Sequence, residues 1–233
     1  MKTGSFIKRG MFIGAACAAL FVAPVSQAGT MNISGITGEA VQLSGTATGN
    51  ISTTAGMFSG TFDGNAIYFW CIQSNQSFPG YGVDITDYTA ANFQSAPLTF
   101  AQDSALKTLF FNAFPLGYAP PQNAHNGAIF QLAIWDILFD DDFNLSTAGG
   151  LGAFNATSGV VGTISDAQGL INAAVGGTSP FALTQLTSPS SQDFITPRLP
   201  RLVPEPTGLA LLGAGLVSMM LGMRRRKVGG HAV

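Results

Sequence analysis

The sequence predicts an α+β fold: a strand-rich domain with a buried central helix, set between an N-terminal signal peptide and one C-terminal transmembrane helix. Three observations point there. Asp63-Gly64, a pair that favours two-residue hairpin turns, separates two strand-like runs, Met57 to Phe62 and Asn65 to Gln73. Asn126 to Phe139 is long and apolar nearly all round, which suits a helix covered on every side. The rest of the body is rich in Gly, Ser, Thr and Asn, the composition of short strands and loops.

Taken in order, Gly29 to Ala55 carries short alternations such as Val41-Gln42-Leu43 and predicts edge strands and loops. In the return strand of the hairpin, Ile67, Phe69 and Cys71 share one face, and Ala66, Tyr68, Trp70 and Ile72 the other. Both faces are apolar, so that strand is expected in the middle of a sheet. Ser74 to Phe100 reads as loop with a strand around Tyr81 to Ile85. Ala101 to Phe114 is helical, with Leu106, Leu109, Phe110 and Ala113 on one stripe, ended by Pro115. After Pro120-Pro121 comes the apolar helix, whose polar exceptions are Gln131 and Asp136. Thr147 to Gly152 reads as loop, and Asp166 to Val175 as a shorter helix stopped by Gly176-Gly177. Ser188 onward is Pro- and Ser-rich and predicts a linker.

Between the tails, residues 29–202 hold three cationic and eleven acidic side chains, a formal charge of −8. That balance argues against nucleic acid as a partner. The aromatic content supplies a core, and the length suits one domain.

At the N-terminus, Lys2, Lys8 and Arg9 precede an apolar run from Met11 to Val25, and Ser26-Gln27-Ala28 offers small residues where a signal peptidase reads. A signal peptide over 1–28 is expected, cleaved between Ala28 and Gly29. Cys17 raises a lipoprotein alternative, but Gly14 stands where that signal wants an aliphatic residue.

At the other end, Val203-Pro204-Glu205-Pro206 precedes Thr207 to Met223, seventeen residues without a charge, followed by Arg224-Arg225-Arg226-Lys227. Seventeen helical residues reach about 25 Å, the short end of a membrane span, and the cations belong on the cytoplasmic side. This order resembles the PEP-CTERM sorting tail. The resemblance implies a bacterium with an outer membrane, export by signal peptidase, a precursor held in the inner membrane through the C-terminal helix, and processing by an exosortase near Pro204-Glu205-Pro206. The destination it implies is the cell surface or extracellular matrix. The organisation is then signal peptide 1–28, exported domain 29–187, linker 188–202, sorting tail 203–227 and end 228–233.

Cys71 is the one cysteine left once the leader is removed, whereas exported domains use cysteines in pairs. Gln131 is a primary amide inside an apolar helix, costly unless its donors and acceptor are paired. Phe130-Gln131-Leu132-Ala133-Ile134-Trp135 is similar to the TQXA motif of bacterial surface thioester domains, and Trp70-Cys71-Ile72-Gln73 to their cysteine motif. The resemblance covers about Phe69 to Phe139. It implies a bond between the Cys71 sulfur and the Gln131 acyl carbon, ringed by Phe69, Trp70, Phe130 and Trp135, that would attach the protein to a surface amine or hydroxyl. This chain has Trp70 where the family prefers Tyr, Phe or Leu, Gln73 where it prefers an acid, and Phe130 where it often has Thr.

Such a thioester would act once and would not turn over, so no enzyme is expected, and no cofactor. Two other readings stand beside it. Cys71 can be a small core side chain and Gln131 a hydrogen-bonded structural amide, in a non-reactive protein associated with exopolysaccharide or biofilm. His125 can serve Cys71 in a cysteine hydrolase. Asp140, Asp142 and Asn144 alternate as in a calcium loop, but Leu145 replaces the loop glycine and Leu151 the closing Glu, so no metal is expected.

Overall fold

The structure, a computed structural model, describes residues 28–197 apart from 46, 74–75, 77, 94–96, 115–122 and 146–153. The leader before Ala28, Pro115, Pro120-Pro121, the loop Thr147 to Gly152, Val203-Pro204-Glu205-Pro206, the apolar span and Arg224 to Lys227 lie outside the described residues. No helix among the described residues is long and apolar enough to cross a membrane.

The described chain is α+β. Its strands are β1 (Ala28–Ser44), β2 (Ile51–Phe62), β3 (Asn65–Cys71), β4 (Asp84–Asn92), β5 (Asn155–Ser158), β6 (Leu183–Thr187) and β7 (Phe194–Pro197). Three helices, α1 (Phe100–Ala113), α2 (Ala124–Phe139) and α3 (Thr163–Ala174), complete it. All strand pairs are antiparallel, in the order β2-β3-β7-β6-β4-β1-β5, and β1 also pairs with β2. That extra pairing closes β1, β2, β3, β7, β6 and β4 into a ring, with β5 attached to the far end of β1. Closure removes the open edges that a sheet this size would otherwise present.

Local chemistry explains the best-defined pieces. Asp63 and Gly64 both take positive φ, 49° and 76°, as the two central residues of a type I′ turn do. The turn sets the pairing of β2 with β3 from Phe62–Asn65 to Phe58–Phe69. Helix α1 starts with a capping box: Gln102 N–H donates to Thr99 Oγ1, and Thr99 N–H donates to Gln102 Oε1. Asn123 caps α2 by accepting from Asn126 N–H at 2.8 Å. Gly162, with φ of 93°, leads into α3.

The interior of the ring is aromatic. Phe58 stacks on Phe69 at 5.6 Å, Phe69 meets Phe194 edge-on at 4.8 Å, and Tyr88 lies 5.9 Å from Phe194. A second cluster sits on the opposite face of β3, under the helices, where Trp70 packs against Phe110, Phe114 and Phe130. Strand β3 lies between β2 and β7 with apolar side chains on both faces, as its sequence predicted.

Several expectations are corrected. The stretch from Gly29 is not loop and edge strand: β1 runs seventeen residues with partners on both sides. Strand β4 begins at Asp84, not Tyr81. The linker expected from Ser188 does not begin there. Residues 188–197 belong to the domain, and β7 pairs with β3 through Trp70–Ile195 and Cys71–Phe194. Composition misled because Ser188 and Ser191 are buried and the serines are held by hydrogen bonds. Ser188 Oγ and Ser190 Oγ both donate to Asp87, and Ser188 Oγ accepts from the N–H groups of Ser190 and Ser191. Strand β1 is described from Ala28, which pairs with Thr89.

Candidate functional site

Cys71 ends β3. Its neighbour Ile72 donates its N–H to the Asp193 carbonyl, on the β7 side. Backbone groups alternate along a strand, so those of Cys71 point to the other side, toward β2. But β2 leaves β3 after Phe58–Phe69, two residues short of Cys71. Gln131 fills the gap. Its Oε1 accepts from Cys71 N–H at 2.9 Å and its Nε2 donates to the Cys71 carbonyl at 2.9 Å. One side-chain amide thus takes the two backbone bonds that a neighbouring strand would have made.

Gly127 makes this approach possible. A Cβ there would lie 2.1 Å from the Thr37 carbonyl oxygen, so α2 rests directly on the β1 backbone. Gln131 stands one turn later on the same face and reaches Cys71. It is wholly buried, and Cys71 nearly so.

The structure therefore brings Cys71 and Gln131 together, sixty residues apart in sequence. It does not gather all four aromatic residues around them. By strand alternation Cys71 shares the ring interior with Phe69, while Trp70 and Phe130 form the cluster under the helices, 5.1 Å apart. Trp135 lies against Phe154 at 6.4 Å. The four belong to more than one layer because successive strand residues face opposite ways. All are buried and exclude water from their own layer.

Burial pushes the Cys71 thiol well above the ordinary thiol range, so it rests protonated. Tyr88 shares its environment. Its hydroxyl donates to the Gln192 carbonyl at 2.6 Å, and its pKa is raised by burial first, then by Asp193, Asp87 and Cys71. Gln73 stands where the thioester family prefers an acid, and it holds one in place: its Nε2 donates to Asp193 Oδ2 at 2.9 Å and its Oε1 accepts from Asp193 N–H. Burial raises the pKa of that carboxyl, against the Ser188 N–H that donates to it. Tyr88 and Asp193 carry no local sequence signal. Their place beside Cys71 comes from β4 and β7.

His125 is committed elsewhere. Its Nε2 lies 2.9 Å from Asp166 Oδ2 and its Nδ1 3.3 Å from Glu39 Oε1, so both ring nitrogens face carboxylates. The Asp166 contact above all, with help from Glu39, raises its pKa. It acts as a tie between α2, β1 and α3. Asp140 and Asp142 are helix-end acceptors, taking N–H groups from Asp142, Phe154 and Asn144. Among the described residues no group of three or more metal-ligating side chains is placed to hold an ion.

Asp136 is wholly buried, and neither carboxyl oxygen has a hydrogen-bond partner among the described residues. Burial first, then Asp140 and Asp142, push its pKa up to about 8. The unfolded group titrates near 3.9. Its contribution to stability is therefore full below about pH 4 and is lost as pH rises through about 8. Asp136→Asn should raise the melting temperature at pH 8, by an amount worth a few kcal/mol at most, and leave it nearly unchanged at pH 4. Thermal melts of both proteins across that range check this, and a gain equal at both pH values would contradict it.

Against known proteins, the chain matches no family model, no curated protein and no solved structure.

Proposed function

We propose that this chain is an exported surface or extracellular-matrix protein whose folded domain is a single-use covalent anchor. The observation that carries the proposal is the Gln131 carboxamide bonded to both backbone groups of Cys71. The amide oxygen and nitrogen are held against the backbone of the residue whose sulfur would attack the carboxamide, in an interior shielded from water. In the reaction, Cys71 Sγ bonds to Gln131 Cδ and the Cδ–Nε2 bond breaks. Ammonia leaves, carrying the thiol proton. A surface amine or hydroxyl later takes the acyl group and returns a proton to the sulfur.

The leader, sorting tail and basic cluster supply the address in this reading. Signal peptidase acts after Ala28, the apolar span holds the precursor in the inner membrane, and an exosortase acts at Val203-Pro204-Glu205-Pro206. In this reading the domain acts once and uses no cofactor.

The same hydrogen bonds favour a second reading. They satisfy the Gln131 oxygen and one of its N–H groups, so the pair can be purely structural, in a protein associated with exopolysaccharide. Intact mass separates the two. The purified domain should be lighter by one ammonia, and methylamine should add its own mass to that species, leaving it one CH2 group heavier than the full-mass protein. Wild-type protein of full mass, unreactive to methylamine, would leave only the structural reading.

A further inference from the structure

We infer that Glu39, His125 and Asp166 form a pH-sensitive clamp. While the imidazole is protonated it ties the first turn of α2 to both β1 and α3, and when the proton leaves, the tie to β1 opens. The inference stands apart from the proposed thioester, and its test needs no bond at Cys71.

The geometry requires two donors from one ring. His125 Nε2 lies 2.9 Å from Asp166 Oδ2 on α3, and Nδ1 lies 3.3 Å from Glu39 Oε1 on β1. An ionised carboxylate only accepts hydrogen bonds, and a neutral imidazole has a single N–H to give. The imidazolium has two, so both contacts are satisfied together in the protonated form alone. Among the described residues, Glu39 and Asp166 are the charged groups that face the ring. The first turn of α2 holds no acid, and the residue of β2 opposite Glu39 is Ala55. Both carboxylates raise the His125 pKa, Asp166 the more strongly. The clamp's contribution is therefore full below the unfolded value of about 6.5 and is lost as pH rises through the higher folded value.

Deprotonation does not weigh equally on the two contacts. The remaining N–H goes to Asp166, the shorter contact, and the bare Nδ1 then faces Glu39. The Asp166 side chain is 54% exposed and that of Glu39 only 10%, so water can take over at Asp166 but hardly at Glu39. Glu39 keeps one donor, Thr163 Oγ1, at 2.8 Å from its Oε2. An acceptor set against a carboxylate in a nearly dry seam is unfavourable, and parting the start of α2 from β1 relieves it. The seam is the one that seats α2. Gly127, two residues after His125, rests on the carbonyl of Thr37, two residues before Glu39.

The test follows the His125 ring by NMR titration together with hydrogen exchange of the Gly127 N–H, which donates to the Asn123 carbonyl in the first turn of α2. His231 is the other histidine of the chain, so His125→Gln assigns the ring signal. Protection, corrected for the intrinsic pH dependence of exchange, should fall about fivefold across the His125 titration, what ~1 kcal/mol gives. Asp136 also titrates on the alkaline side, but it is common to wild type and variants and drops out of the comparison. His125→Gln should lack the step. Glu39→Gln should lack it too and stay protected at high pH, because its amide can donate to the bare ring nitrogen while its oxygen still accepts from Thr163. The clamp would be overturned by a His125 that titrates at or below about 6.5. It would equally be overturned by a wild type whose protection changes no more than that of His125→Gln, or by a Glu39→Gln that opens as wild type does.

Discussion

Gln131→Ala should lower the stability of the domain by about 2–5 kcal/mol, the largest loss expected from a single side chain here. The cost does not come mainly from lost apolar contact. Truncation strands the Cys71 N–H and C=O in a dry interior, and each unpaired buried group costs about 1–3 kcal/mol. In a domain this size the melting temperature should fall by about 10 °C. Gln131→Glu sharpens the test. A protonated Glu can still accept from Cys71 N–H and donate to its carbonyl. An ionised one sets a negative oxygen against that carbonyl, so its folded pKa is raised. Its stability should approach wild type below the unfolded pKa near 4.3 and fall as pH rises above it. Denaturant melts at pH 4 and pH 7 check this. A Glu variant equally stable at both would show that the amide bonds matter little.

Gly127→Ala should cost about 2 kcal/mol, although alanine is the better helix former. The added methyl would sit 2.1 Å from the Thr37 carbonyl oxygen, 3.2 Å from the Thr37 carbonyl carbon and 3.3 Å from the Met57 nitrogen. These are backbone atoms of paired strands and cannot turn aside, so α2 must lift. Lifting α2 draws Gln131, one turn on, away from Cys71, and the variant should lose both stability and any methylamine reactivity. Gly169→Ala is the matched control. It lies in α3 with nothing within 4 Å of the new methyl, and should stabilise by about 0.5–1 kcal/mol. If both glycine variants gained stability, the close approach of α2 would not be what seats Gln131.

Legibility in sequence followed the range of the interaction. The hairpin could be read because its turn chemistry is contained in Asp63 and Gly64. All three helices could be read from apolar periodicity and from their stops, to within a turn. Strands β5, β6 and β7 could not. Phe194 to Pro197 is four residues inside a Pro- and Ser-rich run, and Leu183 to Thr187 has too few apolar residues to alternate visibly. Ser188 and Ser190 look like linker residues until Asp87, a hundred residues earlier, is seen to accept from both. Pairing Cys71 with Gln131 came from a resemblance of motifs. The way they meet, an amide in place of a missing strand, was not written in either motif.

The amino-acid sequence by itself determined the α+β class, the Asp63-Gly64 hairpin, the two-sided burial of its return strand and the isolation of one thiol and one buried amide. These depend on residues close together in the chain, where turn geometry and side-chain alternation act directly. Only the tertiary structure decided that β1 closes on both β2 and β4, that β7 flanks Cys71, and that the aromatic residues divide between two layers. Those outcomes rest on backbone hydrogen bonds between distant segments, and since every backbone carries the same donors and acceptors, the choice of neighbour is made by the packing of the whole.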